Sequence, residues 1–215
     1  MSTDPGALPP VPDGLCETCG KPASVCVCDR VTPLEVRTRV LVLQHPQEQD
    51  RLLGTAPILE RVVGAIRRVG MSWANLEAAL GDPPGGTWAV IWPQQLPREL
   101  TAAEQALPAL RLDRAGHPTT AKLAGVVVLD GSWSQAKTLW WRNAWLLKLD
   151  RIVLHPTAPS IYGRMRKEPR KSYVSTLEAA ADALVLAGEP ESVRASLRSA
   201  MRAMVQRARD AGGSH

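Results

Sequence analysis

The residues best suited to chemistry lie in the turn that follows the apolar run at residues 125–129. Asp130 supplies a carboxylate, which can accept a proton or bind an ammonium group. Ser132 is a good N-cap and Gln135 completes a capping box, so a helix should begin at Trp133. Helix N-termini offer free N–H groups to anions. We predict a binding site at this turn; the alternative is an aspartate that only ties the turn together.

The four cysteines, Cys16, Cys19, Cys26 and Cys28, lie in one short segment. Four thiolates satisfy the tetrahedral coordination of zinc, and a site closed by four cysteines has no open position for catalysis. We therefore predict a structural zinc ion. Two disulfides are the competing interpretation, which a reducing cytoplasm disfavours, and four free thiols are the remaining one.

The elements that position these residues can be inferred from apolar runs. Runs without alternation are typical of strands buried on both faces. Four such runs occur, at residues 40–43, 88–92, 125–130 and 152–154. Segments with the spacing of a helix lie between these runs. The first spans residues 55–70, and a later one follows a capping box at Thr101 and Glu104. This alternation predicts an α/β fold with a mostly parallel sheet and flanking helices.

Each predicted strand ends in polar residues or proline. Gln44 and His45 follow the first strand, Pro93 follows the second, and Asp130 ends the third. In open α/β sheets, ligands bind outside the carboxyl ends of the strands, so we expect these residues to share one edge. For His45, the alternative is a hydrogen-bonded loop histidine.

Composition sets limits on the class of protein. The chain has 215 residues, a net charge of +5 and a pI near 9.3, which permits an anionic partner such as RNA. Residues 1–12 lack the apolar core of a signal peptide, and no apolar run approaches the ~20 residues of a membrane helix. We predict a cytoplasmic protein that does not contact a membrane.

A basic loop lies between the last predicted strand and the C-terminal helices, at residues 159–173. It contains five cations and two tyrosines, and such a surface can bind phosphates and stack unpaired bases. We predict that it contacts RNA; a solvated flexible loop is the alternative. The predicted RNA-binding residues are Tyr162, Arg164, Arg166, Lys167, Arg170 and Lys171.

Two helices should complete the chain. Ser175 and Glu178 form a further capping box, which precedes an alanine-rich helix at residues 179–187. A last helix is predicted from Glu191 to about Arg209.

Several of these motifs occur together in one known family. They are the cysteine pairs, LQHPQE at residues 43–48, LDGSW at residues 129–133 followed by Ala136 and Lys137, and STLEA at residues 175–179. In this order they resemble the DTW-domain tRNA-uridine aminocarboxypropyltransferases, across residues 16–187. One departure is that the family's Asp-x-Thr-Trp signature has serine at position 132, which retains the hydroxyl and the capping function.

The resemblance implies a reaction, a fold and a domain organisation. The 3-amino-3-carboxypropyl group of S-adenosylmethionine would pass to N3 of a tRNA uridine, releasing methylthioadenosine. The fold would be SPOUT-like, with a trefoil knot in its C-terminal part. We predict a disordered leader at residues 1–14, a zinc-binding module at residues 15–32 and a DTW catalytic domain at residues 33–212.

The resemblance also implies roles for individual residues. Asp130, Ser132 and Trp133 would be catalytic. Either Arg164 or Arg166 would be the family's arginine. The residues implied to bind the donor are Leu43, Gln44, His45, Trp92, Pro93, Leu129, Asp130, Gly131, Ser132, Ser175, Thr176 and Glu178.

Two other functions stay open at this point. A SPOUT-type RNA methyltransferase would use the same donor but produce S-adenosylhomocysteine, and a non-catalytic zinc-containing module would only bind RNA. No obligate protein partner is evident. We expect a monomer, since the N-terminal module could replace the partner subunit that SPOUT proteins often have.

Overall fold

The computed structural model describes residues 14–92, 99–156, 158–165 and 174–212. Its strands are β1 (Arg39–Gln44), β2 (Ile66–Val69), β3 (Trp88–Ile91), β4 (Ala109–Leu112), β5 (Gly125–Asp130) and β6 (Asp150–Leu154). Its α-helices are α1 (Ala56–Val63), α2 (Leu76–Leu80), α3 (Ala102–Gln105), α4 (Trp133–Arg142), α5 (Thr176–Leu186) and α6 (Glu191–Gly212). Short 3₁₀ turns span Pro46–Glu48, Ala144–Lys148 and Gly163–Met165.

Within the described residues, the six strands form one sheet in the order β2-β1-β5-β3-β6-β4. All neighbours are parallel except β4, which runs antiparallel to β6. The chain moves outward from β1 to the edge strand β2 and then crosses to β3, so the winding direction reverses beside β1. This reversal is where open α/β sheets bind ligands. At that point Gln44 lies directly opposite Asp130 in the register of β1 and β5.

Alternating side chains of the strands supply two cores. Val40 and Val42 of β1 face a core that also contains apolar residues of α1, α5 and α6. Leu41 and Leu43 face the other side, among residues of α2, α4 and the Ala144–Lys148 turn. Burial on both faces explains why β1 has no polar alternation. The prediction of an α/β fold with a mostly parallel sheet and flanking helices is confirmed.

The predicted helix at residues 55–70 is wrong in its second half. Helix α1 ends at Val63 and is capped by Gly64, which has a φ of 62° that glycine adopts without strain, and β2 begins two residues later. Strand β2 reads Ile-Arg-Arg-Val and is only partly buried at the sheet edge, so it has no apolar run to reveal it. Strand β4 was also missed, because Arg111 interrupts it; that arginine is buried with its Nε 3.1 Å from Asp150 Oδ2.

The helices that follow agree with the predicted capping boxes. Thr101, Ser132 and Ser175 are the N-caps of α3, α4 and α5, and each box is formed in full. Helix α6 packs on α5, where Arg198 Nη2 contacts Asp182 Oδ1 at 2.9 Å. Burial raises the pKa of Asp182 despite that arginine.

Among the described residues, no helix combines the length and the apolarity needed to cross a membrane.

Candidate functional site

Asp130 lies at the carboxyl end of β5 with only 7% of its surface exposed. Its Oδ2 accepts a hydrogen bond of 2.6 Å from Gln44 Nε2, and its Oδ1 accepts one of 2.5 Å from Thr176 Oγ1. Gln44 ends β1 and Thr176 begins α5, so three elements meet at one carboxylate. The structure thus brings together three of the residues that sequence reasoning assigned to the site.

Gln44 is itself held in one orientation. Its Oε1 accepts a hydrogen bond of 3.0 Å from Arg67 Nη1, and Arg67 Nε lies 2.8 Å from Glu60 Oε2. A guanidinium group can only donate hydrogen bonds, so it fixes the amide oxygen on its own side. The amide nitrogen of Gln44 must therefore face Asp130.

We call this chain of contacts the Asp130 relay, defined by Glu60, Arg67, Gln44, Asp130 and Thr176. Sequence reasoning missed the first two members. Glu60 lies in α1, and the arginine lies in the strand that had been assigned to the same helix. No local pattern indicated either of them.

The turn after Asp130 is closed by the N-terminus of α4. Ser132 Oγ accepts a hydrogen bond from Gln135 N, and Gln135 Oε1 accepts one of 2.6 Å from Ser132 N. A Cβ atom on Gly131 would lie 2.8 Å from the Cβ of Gln135, so only glycine permits this approach of helix and turn. Gln135 Nε2 also donates to Gln47 Oε1 at 3.0 Å, which joins the turn to the loop after β1.

Three other predicted site residues, two assigned to donor binding and one to catalysis, lie at this edge of the sheet. His45 donates its backbone N–H to Asp130 O at 2.9 Å, and its Nδ1 accepts a hydrogen bond from Gln47 N. Trp133, in the first turn of α4, is 38% exposed. Trp92 follows β3 and packs edge-to-face on Trp140, with ring centroids 4.4 Å apart.

Other predicted donor-binding residues have their side chains in the protein interior. Leu43 is fully buried, and Leu129 packs against the same core. Ser175 and Glu178 are buried in the capping box of α5. The Glu178 carboxylate also accepts hydrogen bonds from Ser160 Oγ at 2.7 Å and from Ile161 N at 2.9 Å. Glu178 thus fastens the start of the basic loop to α5.

Tyr162 requires a correction. Its side chain is completely buried, and its hydroxyl donates a hydrogen bond of 2.5 Å to Leu53 O. A ring with no exposed face cannot stack on an RNA base, so the predicted RNA contact does not fit this position. Sequence reasoning failed here because a tyrosine among cations is equally compatible with a core anchor. Its position ties the basic loop to the loop before α1.

Several predicted residues lie outside the part of the chain that the structure describes. Arg164 belongs to the Gly163–Met165 turn, but its side chain is not described. The others are Pro93, Arg166, Lys167, Arg170 and Lys171. Their predicted roles stay predictions, as does the leader, of which only Gly14 is described.

The four cysteines form a cluster whose sulfur atoms all lie within 4.8 Å of one another. None is in a disulfide, and the sulfurs of Cys19 and Cys26 are 3.7 Å apart. Zinc–sulfur bonds of about 2.3 Å in a tetrahedron place the sulfurs roughly 3.8 Å apart, so the donor set fits zinc. Backbone N–H groups of Cys19 and Thr18 lower the pKa of Cys16 to about 6, which favours the thiolate that a metal requires. The cluster could therefore hold a zinc ion.

Lys21 connects the cysteine segment to the loop that precedes α1. It is buried, and its Nζ donates hydrogen bonds of 3.0 Å to Arg51 O and 2.8 Å to Leu52 O. Burial lowers the pKa of Lys21, and Arg67 lowers it further, whereas the negative charges of Cys19 and Asp130 oppose the shift. The ammonium group therefore lies within electrostatic range of the Asp130 relay.

Comparison of the sequence with known proteins finds relatives in several organisms. A mouse protein named tRNA-uridine aminocarboxypropyltransferase 2 is 29% identical over 197 residues, which are 88% of this chain and 61% of the relative. A Drosophila melanogaster protein of the same name is 30% identical over 86% of this chain and 71% of its own length. An Arabidopsis thaliana protein named tRNA-uridine aminocarboxypropyltransferase A is 24% identical over 89% of this chain and 80% of its own length. No solved structure matches the chain.

The match to a family extends over nearly the whole sequence. A sequence model of the DTW domain covers residues 13–209, which include the cysteine cluster and every member of the Asp130 relay. The chain spans about three fifths of the length of the mouse relative. On this coverage the chain belongs to the DTW-domain family.

Proposed function

We propose that this protein is a tRNA-uridine aminocarboxypropyltransferase. It transfers the 3-amino-3-carboxypropyl group of S-adenosylmethionine to N3 of a tRNA uridine and releases methylthioadenosine. The names of the relatives support this activity. The observation that carries the proposal is the carboxylate of Asp130, fixed by Gln44 and Thr176 at the edge of the sheet where α/β proteins bind ligands.

The reaction makes one bond and breaks another. N3 of the uridine bonds to the terminal carbon of the aminocarboxypropyl group as the bond from that carbon to sulfur breaks. The sulfur keeps the electron pair and leaves as the neutral thioether, and the N3 proton passes to water. A sulfonium group needs little acid assistance to leave, so the protein's main task is to align the carbon with N3.

Asp130 is assigned to the ammonium group of the donor. Gln44 and Thr176 donate hydrogen bonds to its two oxygens, so the group is held as a hydrogen-bond acceptor. Each carboxylate oxygen retains a further lone pair. An oriented anion of this kind suits the binding of a cation, and it fixes the carbon chain that begins at that cation.

The N-terminus of α4 is assigned to the carboxylate of the donor. The helix dipole favours an anion there, beside the Ser132 hydroxyl. Trp133 has the exposed ring that could support the adenine or the uracil. The two charged ends of the amino acid portion would then be bound on either side of Gly131.

The finer fold assignment and the RNA contacts are part of the same proposal. We propose a SPOUT-like fold with a C-terminal knot from the sequence motifs, and the contact of Thr176 at the start of α5 with Asp130 at the end of β5 is compatible with it. Zinc in the cysteine cluster would hold the N-terminal segment in shape. The cations of the basic loop would bind the tRNA backbone.

The test of the reaction is product analysis with unmodified tRNA and S-adenosylmethionine. Methylthioadenosine, together with a tRNA nucleoside heavier by one aminocarboxypropyl group, supports the proposal. S-adenosylhomocysteine would instead identify a methyltransferase. Binding of tRNA without any product would identify a non-catalytic module.

The test of the role of Asp130 is Asp130→Asn, which keeps the shape and an oxygen for Gln44 but removes the charge. A lost hydrogen bond between charged groups is worth about 1.5–3 kcal/mol, so donor affinity in calorimetry should fall roughly 10- to 150-fold. Affinity for tRNA should not change. If the variant binds the donor as the wild type does and loses only turnover, Asp130 acts on the uridine instead.

A further inference from the structure

A stripe of aromatic and cationic side chains runs along α4, away from the turn at Asp130. Trp133, Lys137 and Trp141 are four residues apart, so they share one face of the helix. We call these three residues the α4 stripe. Lys137 is exposed, and Trp141 is 69% exposed, the largest exposed fraction among the bulky apolar side chains described. With a rise of 1.5 Å per residue, Trp141 lies about 12 Å along the helix axis from Trp133.

The exposure of Trp141 is not explained by the packing of α4. Another face of the helix already supplies Ala136, Leu139 and Trp140 to the interior, and all three are buried. Because these residues already pack α4 against the protein, an additional indole exposed to water does not improve its packing. Large exposed apolar groups beside polar ones commonly mark an interaction surface.

The charge around the stripe points to the chemistry of a partner. No acidic residue occurs from position 131 to position 149, whereas Lys137, Arg142 and Lys148 do occur and are exposed. Cations bind phosphates, and indole rings stack on unpaired bases. A protein partner that covers the exposed tryptophan would make use of the apolar part of this surface but not of its cations. A nucleic acid uses both parts, and the stripe begins at the site where the target base must arrive.

We propose that the α4 stripe binds an unpaired segment of the substrate RNA next to the target uridine. Trp141 stacks on a base, and Lys137 binds a phosphate between that base and the uridine. The identity of the RNA as tRNA rests on the proposed function. This surface is separate in the sequence from the basic loop at residues 159–173, and it would orient the RNA relative to Asp130.

The experiment measures affinity for unmodified tRNA by filter binding over a range of salt concentrations. Trp141→Leu should weaken binding roughly 5- to 150-fold, the range measured for loss of one stacked base, while Trp141→Phe should retain most of the affinity. Lys137→Ala should reduce the slope of log K against log salt by about 0.7, as expected for one phosphate on a single strand. Lys122→Ala is the matched control, because Lys122 is exposed near the amino end of β5, opposite the site.

The possible outcomes distinguish a failure of the proposed RNA-binding surface from a failure of the proposed reaction. If the wild type forms no methylthioadenosine but Trp141→Leu still weakens RNA binding, the proposed function fails and the surface stands. If the wild type is active and both Trp141→Leu and Lys137→Ala bind tRNA normally, the surface is overturned. It is equally overturned if the wild type is a dimer in sedimentation velocity while Trp141→Leu is a monomer whose affinity for tRNA is unchanged.

Discussion

Thr176 holds one oxygen of Asp130, so replacing it with valine should impair donor binding without changing the affinity for tRNA. Valine keeps the branched shape of threonine but has no hydroxyl. The carboxylate would then be held by Gln44 alone and could rotate. Because Asp130 is only 7% exposed, water cannot freely replace the lost donor.

The magnitude follows from the type of hydrogen bond that is lost. A bond from a hydroxyl to a carboxylate contributes about 1.5–3 kcal/mol. For a protein of this size, each kcal/mol corresponds to a shift of about 2–4 °C in melting temperature, so Tm should fall by roughly 3–12 °C. The affinity for S-adenosylmethionine should fall by at most about 150-fold, since part of the bond energy is lost in the free protein as well.

The assay combines calorimetry with the donor and single-turnover release of methylthioadenosine. Thr176→Ser restores the hydroxyl and should recover both quantities. Thr119→Val is the matched control, because the Thr119 hydroxyl accepts a local hydrogen bond from Ala121 N at 3.3 Å. Wild-type affinity and rate in Thr176→Val, or a serine variant as impaired as the valine variant, would refute the reasoning.

Three further predictions concern the support of the site. Arg67→Met should weaken donor binding about 2- to 10-fold in calorimetry, because Gln44 could then turn its amide oxygen towards the carboxylate; unchanged affinity would contradict the relay. Lys21→Met should lower the free energy of unfolding in urea by about 1–3 kcal/mol, through loss of hydrogen bonds to two backbone carbonyls, and an equal midpoint would count against this role. In metal-free protein, alkylation of Cys16 should rise with pH to half-maximum near pH 6, where its thiolate forms. Cys28, whose pKa is raised by burial, should stay unmodified at that pH, and zinc should protect both; mass spectrometry of the labelled peptides would reveal a reversed order.

The strand ends of the site could be predicted from the sequence. An apolar run that stops at a polar residue marks both the strand and its end, so Gln44 and Asp130 were identified as candidates. Their direct contact could not be predicted. It depends on β5 lying next to β1, and local periodicity contains no information about the order of strands in a sheet.

The positions of two supporting residues, Arg67 and Tyr162, could not be predicted for a different reason. Arg67 lies on an edge strand of four residues, two of them arginines, which has no apolar pattern. Tyr162 is buried although five cations follow it within the next nine positions of the sequence. In both cases, tertiary contacts decide the position of the residue: an ion pair with Glu60 for the arginine and a hydrogen bond to Leu53 for the tyrosine.

The contacts of Asp130 join distant parts of the chain. Gln44 lies 86 positions before Asp130, and Thr176 lies 46 positions after it. The carboxylate is therefore oriented only when α5 is packed on the sheet. The same helix supplies Glu178, which binds Ser160 and Ile161 at the start of the basic loop. One helix thus supports both the proposed donor site and the proposed RNA-binding loop. A change that loosens α5 should weaken both, whereas a change at Lys137 or Trp141 of the α4 stripe should affect RNA alone.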